Sequence, residues 1–186
     1  MNKVFIKGLC FAGLLGASLV ANADDNKWKF DYIGLEGGVY YPQSHLLRDR
    51  FGSTIVRVGL TPTMIRRTPD WRPSFEIGFM GARGNGDHFG VFPLTVGVQK
   101  SFGDPSSQTA PFIRAGVGAA YFDYDITKPD LTVARGHKIG AVTAFEAGVI
   151  SGDRFRASVR YYLMPKQGGV DFSGILISAT FGVFKL

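Results

Sequence analysis

The sequence predicts an all-β chain of eight antiparallel strands, joined up-and-down and closed into a barrel. Three observations predict it. Apolar residues alternate along eight stretches rather than recurring at helical spacing. Gly, β-branched and aromatic residues recur throughout, with 25 Gly, 16 Phe and 7 Tyr among 186 residues, and no convincing helix stands out. Turn-forming clusters punctuate the chain at regular intervals, at 42–52, 61–70, 84–87, 103–110, 127–136, 152–153 and 165–171.

The strand-forming part begins after a leader. Lys3 and Lys7 give residues 1–7 a positive start, 8–20 is an uncharged apolar run, and Ala21-Asn22-Ala23 is a small-residue cleavage site. These are the three parts of a secretory signal peptide, and the apolar run falls short of the roughly 20 residues a membrane helix needs. The reading is therefore a signal peptide at 1–23 and one barrel domain at 24–186. The single cysteine, Cys10, lies within the leader, so the exported chain has no disulfide and no cysteine-bound metal. Loss of Lys3 and Lys7 lowers the formal charge from +6 to +4, a diffuse excess that gives no reason to expect a nucleic-acid partner.

Taken in order, the eight segments are 31–41, 53–60, 71–83, 88–102, 111–126, 137–151, 154–164 and 172–186. Alternate side chains of a strand point to opposite faces, so each segment divides by parity. The first sets Ile33, Leu35 and Val39 against Gly34, Glu36 and Gly38, and the second sets Val56, Val58 and Leu60 against Arg57 and Gly59. In the third, Phe75, Ile77 and Phe79 oppose Ser74, Glu76 and Gly78; in the fourth, Leu94, Val96 and Val98 oppose Thr95, Gly97 and Gln99. The fifth places Ile113, Ala115 and Val117 opposite Arg114, Gly116 and Gly118. The sixth opposes Phe145, Ala147 and Val149 to Ala144, Glu146 and Gly148. The seventh opposes Phe155, Val159 and Tyr161 to Arg156, Ser158 and Arg160, and the eighth opposes Ile175, Ile177 and Phe181 to Gly174, Ser178 and Thr180.

All seven mid-strand charges, Glu36, Arg57, Glu76, Arg114, Glu146, Arg156 and Arg160, thus fall on one face. A soluble barrel would turn that face to water; a transmembrane barrel turns it into the lumen and its apolar face to lipid. The second arrangement fits better. The charged face is otherwise rich in Gly, Ala, Ser and Thr, as a narrow interior requires, and its four Arg nearly balance its three Glu. Aromatic residues gather toward strand ends (Tyr40-Tyr41, Trp71, Phe102, Tyr121-Phe122, Tyr124, Tyr161-Tyr162), positions suited to interfacial girdles. The seven charges then read as an ion-pair network that plugs the lumen, since eight strands leave no wide passage.

With its leader, its eight segments and the alternating stretch at 172–186, the chain resembles the small eight-stranded outer-membrane β-barrel superfamily, the OmpA-, OmpX- and OmpW-like barrels. The resemblance covers the whole exported chain and rests on pattern, not on a signature motif. It implies residence in a bacterial outer membrane after Sec-type export and signal removal. The implied partners are outer-membrane lipid and lipopolysaccharide, with the barrel-assembly machinery during biogenesis, for a chain that stays monomeric. It places the turns at 61–70, 103–110 and 152–153 in the periplasm and the other four outside. Members commonly end on an aromatic residue, whereas this chain ends Phe184-Lys185-Leu186.

Some barrels of this kind edit lipid A. The lipid A deacylases resemble one another in a His-x-Ser-Asn signature, which is absent here. Ser44-His45 are neighbours that point apart on a strand, and His88 and His137 read as ordinary solvated residues, the latter at a loop edge. Asp123, Asp125 and Asp130 lack the loop spacing of a calcium site. The expected role is therefore non-catalytic, structural or surface-interacting, with no cofactor. The alternatives are a lipid A-modifying enzyme and a soluble secreted ligand-binding barrel of lipocalin type.

Overall fold

The computed structural model describes residues 32–63, 71–103, 107–152 and 154–185. The leader read at 1–23 lies outside them, as do parts of the turns at 61–70 and 103–110. Eight strands follow in chain order: β1 (Tyr32–Pro42), β2 (Ile55–Thr63), β3 (Arg72–Gly84), β4 (Asp87–Ser101), β5 (Thr109–Thr127), β6 (Val133–Ser151), β7 (Phe155–Leu163) and β8 (Gly174–Lys185). Each pairs antiparallel with the next, and β8 returns to β1, so the sheet closes into a barrel and removes its own edges. The all-β up-and-down barrel read from the sequence is the observed fold.

Two local expectations are corrected. The stretch at 42–52, read as a turn in a chain without helices, holds a short helix, α1 (His45–Phe51). Gly52 ends it at φ 89°, a left-handed conformation that favours glycine, and its N–H donates to the Arg48 carbonyl at 2.9 Å. Seven residues are too few for a helical period to register, and a helix this short depends on tertiary packing, here through buried Leu47. The turn read at 127–136 shrinks to residues 128–132, because β6 begins at Val133. His137 is therefore no loop residue; it sits within β6 directly across from Asp123. The turn read at Gly84-Asn85-Gly86-Asp87 is a tight hairpin, with Asn85 at φ 52° and Gly86 at φ 83°, the two positive angles of a type I′ turn.

The polarity of the wall is inverted relative to a soluble barrel. Outward positions include Leu35, Val56, Val58, Val96, Val117, Phe145, Val159, Ile177 and Phe181, all exposed, while Arg57 and Glu76 on the inner face are fully buried. Aromatic groups mark both rims. Phe79, Phe92 and Tyr121 form an outward cluster at one, with ring centroids 4.6 and 6.2 Å apart. At the other, the Lys100 ammonium lies 5.8 Å from the Trp71 ring and 5.7 Å from that of Phe102, a cation carried by its stem to the girdle. Four aromatic residues assigned to girdles from the sequence are corrected: Tyr40, Phe122, Tyr124 and Tyr162 are buried in the lumen. Three of them stand beside a girdle residue, and adjacent strand residues must point to opposite sides.

The barrel is taller on one flank. The 19 residues of β5 extend about 60 Å, or about 45 Å of height at a tilt near 40°, against an apolar band of about 25 Å. The nine residues of β7 extend about 30 Å, or about 23 Å of height at the same tilt, close to the band alone. β7 pairs with β6 only from Thr143 to Ser151, so the β5–β6 hairpin rises beyond it from Val142 to Val133. Polar outward residues on this rise, Asp123, Asp125, Arg135 and His137, therefore stand clear of the apolar band.

Candidate functional site

The lumen is built in two storeys. Its middle is ionic. Parity turns Glu36 of β1, Arg57 of β2, Glu76 of β3, Arg114 of β5, Glu146 of β6 and Arg160 of β7 inward, and all are buried. Glu76 is the hub: it pairs with Arg57, with Arg114 Nη1 at 2.8 Å and with Arg160 Nη1 at 2.7 Å, and accepts the Tyr162 hydroxyl. Glu36 accepts from Arg57 and from both Arg160 Nη atoms at 3.1 Å. Glu146 takes Arg160 Nε at 2.9 Å, Arg114 Nη1 at 3.4 Å and Arg156 Nη2 at 2.5 Å. The seven charges singled out in the sequence are thus drawn into one connected cluster. Neutral residues complete it: Arg114 donates to Ser74 Oγ at 2.7 Å and Thr95 Oγ1 at 2.6 Å, and Arg156 to Gln99 Oε1 at 3.1 Å. These partners lie on the same parity as the charges, and that is the signal by which sequence reading could have named them.

Small residues make this density possible. Gly59 and Gly78 face each other across β2 and β3 on either side of the Arg57 guanidinium. A Cβ at Gly78 would stand 2.8 Å from Arg57 Cζ, and one at Gly59 would stand 3.0 Å from Nη1. The guanidinium occupies volume that any other residue would take.

The upper storey is apolar. Tyr40, Met80, Phe89, Val91, Phe122, Tyr124, Ile126 and Phe172 form one buried cluster, joined by Leu47 of α1 and by Val170 from the β7–β8 connection. Phe172 lies at its centre, with ring centroids 5.9, 5.2 and 5.6 Å from those of Phe89, Phe122 and Tyr124. Phe51 of α1 meets Phe89 edge-on at 5.1 Å, and Arg50 pairs with Asp87 at 3.7 Å. The helix and the β7–β8 connection therefore pack into the barrel mouth. This storey was missed because the reading of the charged face stopped at mid-strand; Phe89, Val91, Phe122 and Tyr124 continue the same parity toward the strand ends.

The residues tested for chemistry lie apart from the lumen. Ser44 precedes α1, and His45 Nδ1 is 3.0 Å from Arg48 Nη2, so the two do not form a nucleophile and base. On the tall flank, Asp123 Oδ1 lies 3.1 Å from His137 Nδ1 and 3.7 Å from His88 Nε2, a cross-strand row on the outer wall. Asp125 is engaged by Arg135 at 2.6 Å. Asp130 accepts the Thr132 hydroxyl at 2.6 Å and its N–H at 3.1 Å, bonds that hold its carboxyl below the usual aspartate range. Among the described residues, no group of three His, Cys, Asp or Glu is set to hold a metal ion.

No protein-family model matches the chain, and no curated protein matches it by sequence. Among solved structures it is similar to Neisserial surface protein A, at 13% identity over 83% of this chain and 98% of that one, with a TM-score of 0.56. The likeness is one of fold, a closed barrel of eight antiparallel strands. The N-terminal β-barrel domain of Pseudomonas aeruginosa OprF also aligns, at 14% identity over 82% of this chain and 98% of that one, with a TM-score of 0.47.

Proposed function

We propose that this chain is a non-catalytic barrel of the bacterial outer membrane, with a structural or surface-interaction role and a lumen plugged by its own side chains. The observation that carries the reading is the inversion of the wall. Leu35, Val117, Phe145 and Phe181 face outward and exposed, while Glu36, Arg57, Glu76, Arg114, Glu146, Arg156 and Arg160 are buried within. In water this arrangement would expose a continuous apolar belt; in a bilayer the belt is solvated by lipid and the charges avoid it. The ionic middle and the apolar mouth, stacked along the axis, support a plug in place of a conducting path. Sec-type export with removal of residues 1–23, monomeric insertion by the barrel-assembly machinery and contact with lipopolysaccharide complete the proposal.

Fractionation of expressing cells tests it first. The chain should sediment with outer membranes and migrate faster unboiled than boiled. A heat-insensitive band in the soluble periplasmic fraction overturns the membrane reading. Planar-bilayer recording tests the plug separately: no stepwise conductance is expected, and reproducible channel events would refute it.

A further inference from the structure

The buried cluster sets four guanidiniums against three carboxylates, so it carries one positive charge in excess. The excess is localised. Arg57 and Arg114 each meet two carboxylates and Arg160 meets three, whereas Arg156 meets only Glu146, at 2.5 Å. That carboxylate is already shared with Arg114 and Arg160. Arg156 Nη1 donates to Gln99, and the guanidinium carbon lies 4.1 Å from the Phe112 ring centroid. Its Nε has no hydrogen-bond partner among the described residues, although the side chain is only 2% exposed. A buried guanidinium with incomplete charge compensation is costly and attracts an anion.

The surroundings of Arg156 suit one. In register it faces Thr180 of β8, and Ser158 faces Ser178 with their Oγ atoms 3.2 Å apart. All three hydroxyl residues are buried on the inner face. From Glu146 toward the β6–β7 end of the barrel, the described inward positions carry no carboxylate: β6 presents Gly148 and Ile150, β4 Gln99 and Ser101, and β3 Ser74 and Arg72. This end of the lumen is lined by hydroxyl groups and holds the buried guanidinium that meets a single carboxylate.

We propose that it binds a small monovalent inorganic anion, a halide, through the Arg156 guanidinium and the hydroxyls of Thr180, Ser158 and Ser178. One missing negative charge selects a monovalent ion over sulfate or phosphate. The site goes beyond the structural role proposed above and is independent of which membrane holds the barrel. An anion bound only to the folded state stabilises it in proportion to occupancy.

The test uses the folded protein in zwitterionic micelles. Replacing sodium gluconate by sodium chloride or bromide at constant ionic strength should raise the heat-modifiability midpoint by several degrees and saturate. Sodium sulfate should not. Chloride NMR should show saturable line broadening that bromide displaces. Arg156→Gln should lose both effects, while Lys138→Gln, at an exposed position, should keep them. If Arg156→Gln fails to fold, Ser178→Ala provides the weaker second variant, and the line broadening of the unaltered protein still decides. Broadening no greater than that of empty micelles, a halide effect surviving Arg156→Gln, or an equal effect of sulfate would each overturn the assignment.

Discussion

Glu76→Gln isolates the contribution of the ionic storey. The amide matches the carboxylate in volume, so the substitution opens no cavity and changes only charge and hydrogen bonding. It removes the group that meets Arg57, Arg114 and Arg160 and accepts the Tyr162 hydroxyl, and raises the excess lumenal charge from one to two. Breaking a buried ion pair by removing one partner costs about 3–5 kcal/mol. Each of the three guanidiniums retains Glu36 or Glu146, so the loss should resemble one broken pair and not three. At about 2–4 °C per kcal/mol for a chain of this size, the midpoint should fall by roughly 6–20 °C. The measurement is the temperature at which the compact band converts to the extended one in a fixed detergent. Glu36→Gln, with two guanidinium partners instead of three, should fall less. A Glu76→Gln midpoint within about 2 °C of the unaltered protein would refute the claim that this carboxylate organises the lumen.

Other perturbations separate the remaining layers. Gly78→Ala places a methyl group against the Arg57 guanidinium, which Glu36 and Glu76 hold from either side; refolding yield should drop, and an unchanged yield would show that Arg57 can move. Phe172→Ala empties the centre of the apolar storey at a cost of about 3–5 kcal/mol, and limited proteolysis should then cut the β7–β8 connection; equal protease resistance counts against its packing role. Val117→Arg puts a charge on the apolar belt at about 2–4 kcal/mol near mid-depth, so insertion into phosphatidylcholine vesicles should fall sharply, and undiminished insertion would mean that this face does not meet lipid. Asp130 is held below the usual aspartate range first by the Thr132 hydroxyl, so its stabilisation of the β5–β6 loop is present above that range and fades as pH falls through the lowered value. Thr132→Val should shift the Asp130 carboxyl titration upward in NMR, and an unshifted midpoint would deny the hydroxyl its role.

The architecture was legible because a strand offers only two directions. Within each strand, alternation sets the charge (Glu36, Arg57, Glu76, Arg114, Glu146, Arg160) on the face opposite its apolar neighbours, and lipid or water outside decides which way the set turns. What counting could not give was connectivity across the lumen. Glu76 lies 38 residues from Arg114 and 86 from Tyr162 in sequence, and their meeting depends on strand tilt and register. The helix α1 escaped because His45–Phe51 makes scarcely two turns and shows one buried residue, Leu47. The apolar mouth escaped for a different reason: Phe122 and Tyr124 continue the inward parity of Arg114, but an aromatic residue near a strand end also suits an interfacial girdle, and composition alone does not separate the two.

The ion pairs between β1 and β7 bear on how the barrel comes together. Arg160 reaches Glu36 across 124 residues of chain, so that contact forms only when the first and last strands zip along their shared seam. Until then Arg160 keeps Glu146 from the neighbouring strand β6 but lacks Glu36, which stands on the far edge of the open sheet. Closing the seam therefore adds one buried ion pair to those already made between neighbouring strands. A β1 strand set two residues out of register at the seam would bring Gly34 or Gly38 where Glu36 stands, so the native register alone completes the Arg160 pair.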